Sequence, residues 1–315
     1  MTTASVIGGG IVTATLAMVL GFAPILPPLH GPAAPPKVTL QLKEFVADTE
    51  SYDVNSTLIT GPSEAILVDA QYRMTPAGQL AEMIAASGKH LKAIVITHPD
   101  DDHYYGLEKI LQRFPGTPVY MGPAALAQFQ SREVPNFAQM KERIRAKLAG
   151  AAGPPPPWIA EIPDSLITPQ ELPSSALTVD GVEIRVMADR QGDVLVPANS
   201  YLWIPSQRIV VAGDILFNQV NVWLASSSPE SRAAWQQTIK EIAALKPLVL
   251  VAGHKRSADL PDTPDVLDAT SKYLTDFDEA KKGSSSPEQV VATMQQKHPG
   301  LAVGGILVYA ARTAK

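Results

Sequence analysis

The sequence predicts a mixed α/β fold, in which strands and helices share one or two hydrophobic cores. Residues 93–96 form an apolar, β-branched run of the length expected for a buried strand. Residues 76–86 place apolar side chains at the spacing of an amphipathic helix. With 315 residues, 45% of them apolar and 18% charged, the chain has the length and composition of a soluble globular enzyme.

Short apolar runs between turn residues predict the strands of this fold. Pro62 and Ser63 separate the second strand from the third, as expected for a hairpin turn. The predicted strands cover residues 40–46, 56–60, 65–69, 93–96, 118–121, 177–186 and 301–308.

Longer segments with helical periodicity predict the helices. Gly88 follows the first helix and Gly150 follows the fourth, and glycine is common just beyond helix ends. The predicted helices cover residues 76–86, 107–114, 124–130, 137–148, 233–245, 266–282 and 287–297.

A proline-rich insertion is predicted near residues 128–173. Residues 154–157 are four consecutive prolines, which favour extended polyproline geometry and exclude a helix interior. Two interpretations of the insertion remain open. It is either a surface decoration or a mobile cover on which Phe137 and Trp158 offer apolar surface to a ligand.

The N-terminal segment has the composition of a leader. Residues 1–36 carry no charged side chain, and residues 6–26 are apolar apart from two threonines. We expect a signal peptide and hence a periplasmic or secreted protein, although the segment lacks a basic start and Pro24 disfavours cleavage after Ala23. The alternatives are an uncleaved membrane anchor, because about 20 apolar residues span a bilayer, and a wrongly assigned start codon on a cytoplasmic protein.

Charge and cysteine content exclude several classes of function. The net charge of −5 provides no basic surface for nucleic acid. The chain has no cysteine, which excludes disulfides, a cysteine nucleophile and thiolate metal ligands. We therefore expect a small-molecule substrate and no nucleic acid partner, and the oligomeric state is left open.

The strongest functional signal lies directly after the predicted strand 93–96. Residues 97–103 read Thr-His-Pro-Asp-Asp-Asp-His, which places two imidazoles and three carboxylates at the end of one strand. Burying several uncompensated carboxylates costs several kcal/mol each, on the order of the penalties known for buried charges. A bound cation removes this cost, so the segment predicts a metal site.

The pattern His98-x-Asp100-x-Asp102-His103 resembles the His-x-His-x-Asp-His signature of the metallo-β-lactamase-fold hydrolases, with Asp in place of the second His. Residues 55–59 and 65–69 are similar to the first strands of that family. Residues 210–217 resemble the strand that delivers the bridging Asp214, and residues 249–254 the strand that delivers the last ligand, His254. The resemblance extends from about residue 38 to residue 256.

The resemblance implies a four-layer αββα sandwich for residues 37–315 and two metal sites bridged by Asp214. Alignment on the strand 199–204 places Asp193 among the ligands, with Asp189 as the alternative. The implied ligand sets are Asp102, His103 and His254 for one metal, and His98, Asp100 and Asp193 for the other.

The second ligand set departs from the family pattern. Asp100 and Asp193 stand where the family has histidines, and Asn221 stands where relatives often have another. Two imidazoles and a carboxylate suit a catalytic zinc, whereas an oxygen-rich set suits manganese, magnesium or calcium. We expect one or two divalent ions, with zinc favoured over manganese or iron, held tightly in the first set and weakly in the second.

The resemblance further implies a hydrolase in which a metal-bound hydroxide attacks the carbonyl group of an ester, lactone, thioester or amide. Asp102 is predicted to orient the water, and Tyr105 to donate a hydrogen bond to the oxyanion. Two other classes remain open. Two histidines and one carboxylate also occur in mononuclear non-haem metal oxidoreductases, and a degenerate, metal-poor homologue would be a binding protein.

Two basic residues follow the last predicted ligand. Lys255 and Arg256 are candidate contacts for an anionic group of the substrate. Basic residues after a strand are more often solvated, so the alternative is that they belong to the surface.

Overall fold

The computed structural model describes residues 38–149 and 154–315. The predicted leader, residues 1–36, lies outside the described residues, so its assignment as an export segment or anchor stays a prediction. In the part of the chain that is described, no helix is both long and apolar enough to cross a membrane.

The first sheet contains six strands in chain order. β1 and β2 are antiparallel, as are β2 and β3, whereas β3 to β6 run parallel. The strands are β1 (Gln41–Val46), β2 (Asn55–Thr60), β3 (Glu64–Val68), β4 (His90–Ile96), β5 (Val119–Met121) and β6 (Gln170–Glu171).

The second sheet has the strand order β12, β10, β9, β8, β7, and a short parallel pair, β11 and β13, lies beyond it. β10 and β12 are parallel, and the remaining pairs are antiparallel. The strands are β7 (Ala176–Val179), β8 (Val182–Arg190), β9 (Asn199–Ile204), β10 (Ile209–Val211), β11 (Phe217–Asn218), β12 (Val249–Val251) and β13 (His254–Lys255).

Nine α-helices are described within residues 38–149 and 154–315. The helices are α1 (Met74–Ala86), α2 (Asp101–Tyr104), α3 (Leu107–Arg113), α4 (Pro123–Gln128), α5 (Val134–Ala149), α6 (Pro229–Ala244), α7 (Asp265–Gly283), α8 (Pro287–Lys297) and α9 (Gly304–Thr313).

Three clusters of buried apolar side chains hold four layers together. The central cluster joins the two sheets and includes Ile66 and Val95 from one and Ile184 and Leu202 from the other. A second cluster packs α1 and α3 on the first sheet, and a third packs α6 to α9 on the second. The order helices, sheet, sheet, helices confirms the predicted αββα sandwich.

Most predicted elements are present, with two corrections. Residues 177–186 form the hairpin β7–β8, turned by Asp180 and Gly181 with positive φ. The predicted last strand, residues 301–308, is wrong because α9 occupies most of it, and only Ala302 makes a bridge, to Val220. The buried residues of this segment recur at helical spacing, and a short apolar run does not distinguish the two structures by periodicity.

The predicted insertion contains α5 and ends in β6, which adds to the edge of the first sheet beside β5. Phe137 of α5 is buried against the ring of Tyr105, with centroids 5.6 Å apart. Trp158 is 54% exposed and lies against α5. Whether the insertion acts as a cover stays a prediction.

Candidate metal centre

The carboxyl ends of parallel strands from both sheets meet at one edge of the sandwich. Asp69 follows β3 and residues 97–103 follow β4, while Asp214 follows β10 and His254 follows β12. The loop between β8 and β9 adds Asp193. Strand ends are a rigid platform for a site, since the backbone of each strand is fixed by its neighbours.

All seven predicted metal ligands come together at this edge. They form three overlapping groups, and within each group one donor atom from every residue lies within 4.8 Å of the others. The groups are His98, His103 and Asp214; Asp102, His103 and His254; and His98, Asp100 and Asp193.

Asp214 lies at the centre of the cluster. Its Oδ2 atom is 3.0 Å from Nε2 of His254 and 3.9 Å from Nε2 of His98, while its Oδ1 atom is 3.2 Å from Nε2 of His103. One carboxylate thus faces three imidazoles. This is the arrangement expected of a bridging ligand.

Glycines make room for this carboxylate. A Cβ atom at Gly253 would collide with Asp214, and one at Gly213, where φ is +52°, would collide with the side chain of Thr97. Both positions therefore need glycine for the two strand ends to approach each other.

Each histidine is turned toward Asp214 by a contact at its Nδ1 atom. Nδ1 of His254 is 2.7 Å from the backbone oxygen of Tyr52, and Nδ1 of His98 is 2.9 Å from Oγ1 of Thr97. Nδ1 of His103 lies 3.0 Å from Oδ2 of Asp69. Metal-binding histidines usually have such a partner, which leaves Nε2 free as the ligand atom.

These orienting residues were not predicted from the sequence as parts of the site. Asp69 is fully buried and has a φ of +61°, and its carboxylate also accepts hydrogen bonds from the backbone N–H and the hydroxyl of Thr97. A buried aspartate at a strand end is the signal that could have revealed its role.

The cluster fits a cation. Five of its buried atoms make no hydrogen bond: Nε2 of His98, Nδ1 and Nε2 of His103, Oδ2 of Asp193 and Oδ1 of Asp214. Buried polar atoms are normally paired, so several unpaired ligand-type atoms in one cluster indicate that a divalent ion satisfies them.

The electrostatics of the cluster also favour positive charge. Burial alone would lower the pKa of His254, but the carboxylates of Asp214 and Asp102 raise it to about 10. Burial and the neighbouring carboxylates raise the pKa values of Asp100 and Asp193 well above the ordinary range. Cationic imidazoles and protonated acids are the states expected where carboxylates crowd together without a counter-charge.

The two candidates for one ligand position, Asp193 and Asp189, lie in different surroundings. Asp193 is buried in the cluster, where its Oδ1 atom accepts a hydrogen bond of 2.9 Å from the side-chain amide of Asn199. Asp189 instead accepts from the backbone N–H of Ala124 at the start of α4, at 3.0 Å. The geometry thus favours Asp193 over the alternative.

A cavity of about 140 Å³ opens onto the cluster. Tyr105 is buried behind its wall, stacked on Tyr72, and is not among the lining residues. Its role as a hydrogen-bond donor stays a prediction, and Tyr52 and Tyr72 are the tyrosines that line the cavity. The lining residues are Tyr52, Tyr72, Asp100, Asp101, Asp102, Asp193, Asp214, Trp223, His254 and Ile306.

Asn221, which stands where relatives often have a histidine, does not line the cavity. Its side-chain amide donates to the backbone oxygen of Ala302 at 2.8 Å and accepts from the hydroxyl of Tyr273 at 2.9 Å. It therefore fastens the segment after β11 to the start of α9.

A family model described as the metallo-beta-lactamase superfamily matches residues 51–254, well over half of the chain. The chain belongs to the metallo-beta-lactamase superfamily. Members of this superfamily are mostly hydrolases, and the match ends at His254, the last of the seven predicted ligand positions.

Solved structures of this superfamily share the fold. A metallo-beta-lactamase family protein from Thermus thermophilus is 19% identical with a TM-score of 0.58, covering 87% of this chain and 93% of that one. The DIM-1 metallo-beta-lactamase is 13% identical with a TM-score of 0.51, covering 76% and 97%. The sec-alkyl sulfatase PisA1, as a double mutant, is 14% identical with a TM-score of 0.53, covering 82% and 46%.

Curated relatives match a smaller part of the chain. Hydroxyacylglutathione hydrolases from serotypes 5b and 3 of Actinobacillus pleuropneumoniae are each 36% identical over 80 residues. The match covers 25% of this chain and 28% of the length of each relative.

Proposed function

We propose that this member of the metallo-beta-lactamase superfamily is a metal-dependent hydrolase that cleaves an ester, lactone, thioester or amide. The observation that carries the proposal is the convergence of Asp102, His103, His254 and Asp214, with unpaired ligand-type atoms on His103 and Asp214, beside a cavity that the other three residues line. The partial match to proteins named hydroxyacylglutathione hydrolase supports an acyl compound as the substrate.

Two sets of residues would hold metal. Asp102, His103 and His254 form a set that suits zinc, and the set that contains Asp100 and Asp193 is richer in oxygen, with Asp214 between the two. A bound divalent ion supplies Lewis acidity, which polarises a carbonyl group and lowers the pKa of water to about 7.

The side chains at the cavity have separate roles in the proposed reaction. Asp102 lines the cavity, and its side chain is 14% exposed, so its carboxylate can accept a hydrogen bond from the attacking water and orient it. Without metal, burial raises the pKa values of Asp102 and Asp214, but the neighbouring imidazoles of His103 and His254 lower both below the ordinary range, so both carboxyls favour the ionised form that a metal ligand requires. The rings of Tyr52, Tyr72 and Trp223 exclude bulk water from the reacting groups.

Metal analysis together with an activity screen tests the proposal. The purified protein should contain one or two divalent ions per chain and hydrolyse at least one member of a panel of para-nitrophenyl esters, lactones, thioesters and β-lactams. A chelator should abolish this activity, and zinc or manganese should restore it.

The same experiment separates the alternatives. Oxygen consumption by an iron-loaded protein that hydrolyses none of the panel would favour the mononuclear oxidoreductase. A stable protein that retains no metal after gentle purification would instead be a binding homologue, and it would contradict the proposal.

We also propose that the protein is exported. The charge-free, apolar residues 1–36 support this assignment. Sequencing of the N-terminus of native material should show a mature chain that begins between about residue 23 and residue 36, outside the cytoplasm. Recovery of intact Met1 from the membrane fraction would indicate an anchor instead, and recovery from the soluble cytoplasmic fraction would exclude both.

A further inference from the structure

The walls of the cavity are poorly suited to an anionic substrate. Among the described residues, no lysine or arginine lines the cavity. The walls consist of the rings of Tyr52, Tyr72 and Trp223, the side chain of Ile306 and the carboxylate of Asp101. An anion in this cavity would therefore have only the metal ions as positive partners.

Asp101 adds a fifth carboxyl group to the cavity, and burial and the neighbouring Asp102 raise its pKa to about 7. Asp100, Asp102, Asp193 and Asp214 carry four charges between them, which two divalent ions neutralise. Asp101 belongs to none of the three ligand groups, although it lies between two ligands in the sequence and lines the same cavity. With both ions bound, the ionised form of Asp101 leaves one net negative charge in the cavity.

Lys255, which follows the ligand His254, is unable to reach a substrate. Its side chain is fully buried, and its Nζ atom lies 3.0 Å from both carboxylate oxygens of Glu44 and 2.7 Å from Oδ1 of Asp262. This cation therefore neutralises two partly buried acids, neither of which lines the cavity. The prediction that Lys255 meets an anionic substrate group is not supported by this position.

Two arginines beside the site are also engaged elsewhere. Arg256 is exposed and donates to the backbone oxygen of Gly300 at 2.8 Å. Arg73, next to Tyr72, pairs with Glu50 and Glu161. Neither side chain is among those that line the cavity.

The aromatic rings of the wall are held in place by other rings. The centroids of Tyr52 and Tyr72 are 5.6 Å apart, and Tyr72 stacks on the buried Tyr105 at 5.7 Å. Trp223 stacks on Tyr309 of α9, with centroids 5.6 Å apart. Fixed aromatic faces beside a carboxylate are the features that bind alkylammonium groups.

We infer that the cavity selects substrates that carry a cationic ammonium group near the scissile carbonyl, and that Asp101 is the residue that disfavours anionic ones. The inference rests on the proposed hydrolase function. The carboxylate of Asp101 attracts the ammonium group, and the rings of Tyr52, Tyr72 and Trp223 cover its alkyl substituents.

Three para-nitrophenyl esters of equal chain length test the inference. Their acyl chains end in trimethylammonium, tert-butyl or sulfonate, which are similar in size and differ in charge. The metal-loaded enzyme should show the highest kcat/KM for the ammonium ester and the lowest for the sulfonate, with at least about a tenfold range. A range below twofold, or a preference for the sulfonate, would overturn the inference.

Asp101→Asn should reduce the ratio of ammonium to sulfonate kcat/KM about tenfold, chiefly through KM, and leave the metal content unchanged. Asp259→Asn removes the same charge from an exposed position outside the cavity lining and should leave the ratio unchanged. If Asp101→Asn behaves like Asp259→Asn, Asp101 is not the selecting residue.

Binding measurements keep the inference distinct from the proposed function. If neither these esters nor any other member of the panel is hydrolysed, the hydrolase proposal fails, and calorimetric titration with methyl ketones that carry the same three end groups then decides the charge preference. Tighter binding of the ammonium ketone than of the sulfonate ketone would support the inference. Equal binding, or tighter binding of the sulfonate, would refute it.

Discussion

The Nδ1 atom of His254 lies 2.7 Å from the backbone carbonyl oxygen of Tyr52. Tyr52 and Asp53 both have positive φ, so the turn that presents this oxygen is a specific local structure. An N–H at Nδ1 donates to the carbonyl, so Nε2 faces Asp214 and Asp102 and is the atom that is available to a metal ion. The ring of Tyr52 also lines the cavity, so one residue orients a ligand and shapes the substrate site.

Replacement of His254 by Ala should abolish both metal retention and hydrolysis. The change removes one of two imidazoles from the strongest ligand set. Metal content per chain and kcat/KM are the measurements. His90→Ala is the matched control, because His90 is exposed and outside every ligand group, and that variant should retain both properties. Full metal content in His254→Ala would contradict the assignment.

Asp69→Asn should weaken metal binding by about 10- to 100-fold, as expected when a residue that orients a metal ligand is changed. Asp69 contacts Nδ1 of His103 and holds Thr97, which in turn contacts His98. The metal affinity is measured by competition with a chelator. Asp189→Asn, which alters only the start of α4, should keep the wild-type affinity. Equal losses in the two variants would show that Asp69 has no particular role.

Asp276 of α7 should contribute stability that depends on pH. Burial alone would raise its pKa, but hydrogen bonds from Lys272, Lys297 and His298 lower it to about 2. Its carboxylate therefore stabilises the folded state above the unfolded pKa of about 3.9, and this contribution is lost as the pH falls toward 2.

Asp276→Asn should reduce the free energy of unfolding by about 1–2 kcal/mol at pH 7, less than the full pKa shift implies because Lys272 and Lys297 are partly exposed to solvent. Urea unfolding at several pH values measures this. The difference from wild type should shrink below about pH 4, where the unfolded carboxyl is protonated. Asp268→Asn on the exposed side of α7 should cost less than about 0.5 kcal/mol. A difference that grows at low pH would disprove the assignment.

The sequence predicted which residues converge at the candidate site better than it predicted the residues that orient them. Residues 97–103 follow an apolar strand, and both the strand and the residue types are visible locally, whereas Asp193 was placed only through the resemblance to the family pattern. The supports come from distant parts of the chain: Tyr52 precedes His254 by 202 positions, and Glu44 precedes its partner Lys255 by 211. No local pattern encodes such contacts, so the sequence alone did not exclude Lys255 as a substrate contact.

Hydrophobic periodicity explains why the central strands were predicted correctly and the last segment, residues 301–308, was not. Strands β2 to β4 are bounded by turn residues and lie in the centre of a sheet, where β-branched runs are unambiguous. The segment that contains Ile306 and Leu307 is equally apolar, and only its packing on the second sheet and α8 selects a helix. Cavity-lining Ile306 was consequently not predicted as part of the site.

The two ligand sets should respond differently to mutation. Asp102, His103 and His254 provide two imidazoles, whereas the set of His98, Asp100 and Asp193 provides one imidazole and two acids whose pKa values are raised by burial and neighbouring carboxylates. Asp100→Ala should therefore reduce activity much less than His254→Ala, because it affects the weaker set. Titration with zinc, followed by elemental analysis, should show one tightly held ion and one exchangeable ion in the wild-type protein.

Asp100→His together with Asp193→His should raise the zinc content toward two ions per chain, since imidazole suits zinc better than carboxylate does. Asp189→His is the matched control, because Asp189 precedes Asp193 by four residues but belongs to no ligand group, and this variant should leave the stoichiometry unchanged. Two zinc ions bound with equal affinity by the wild-type protein, or equal damage from Asp100→Ala and His254→Ala, would refute the asymmetry between the sets.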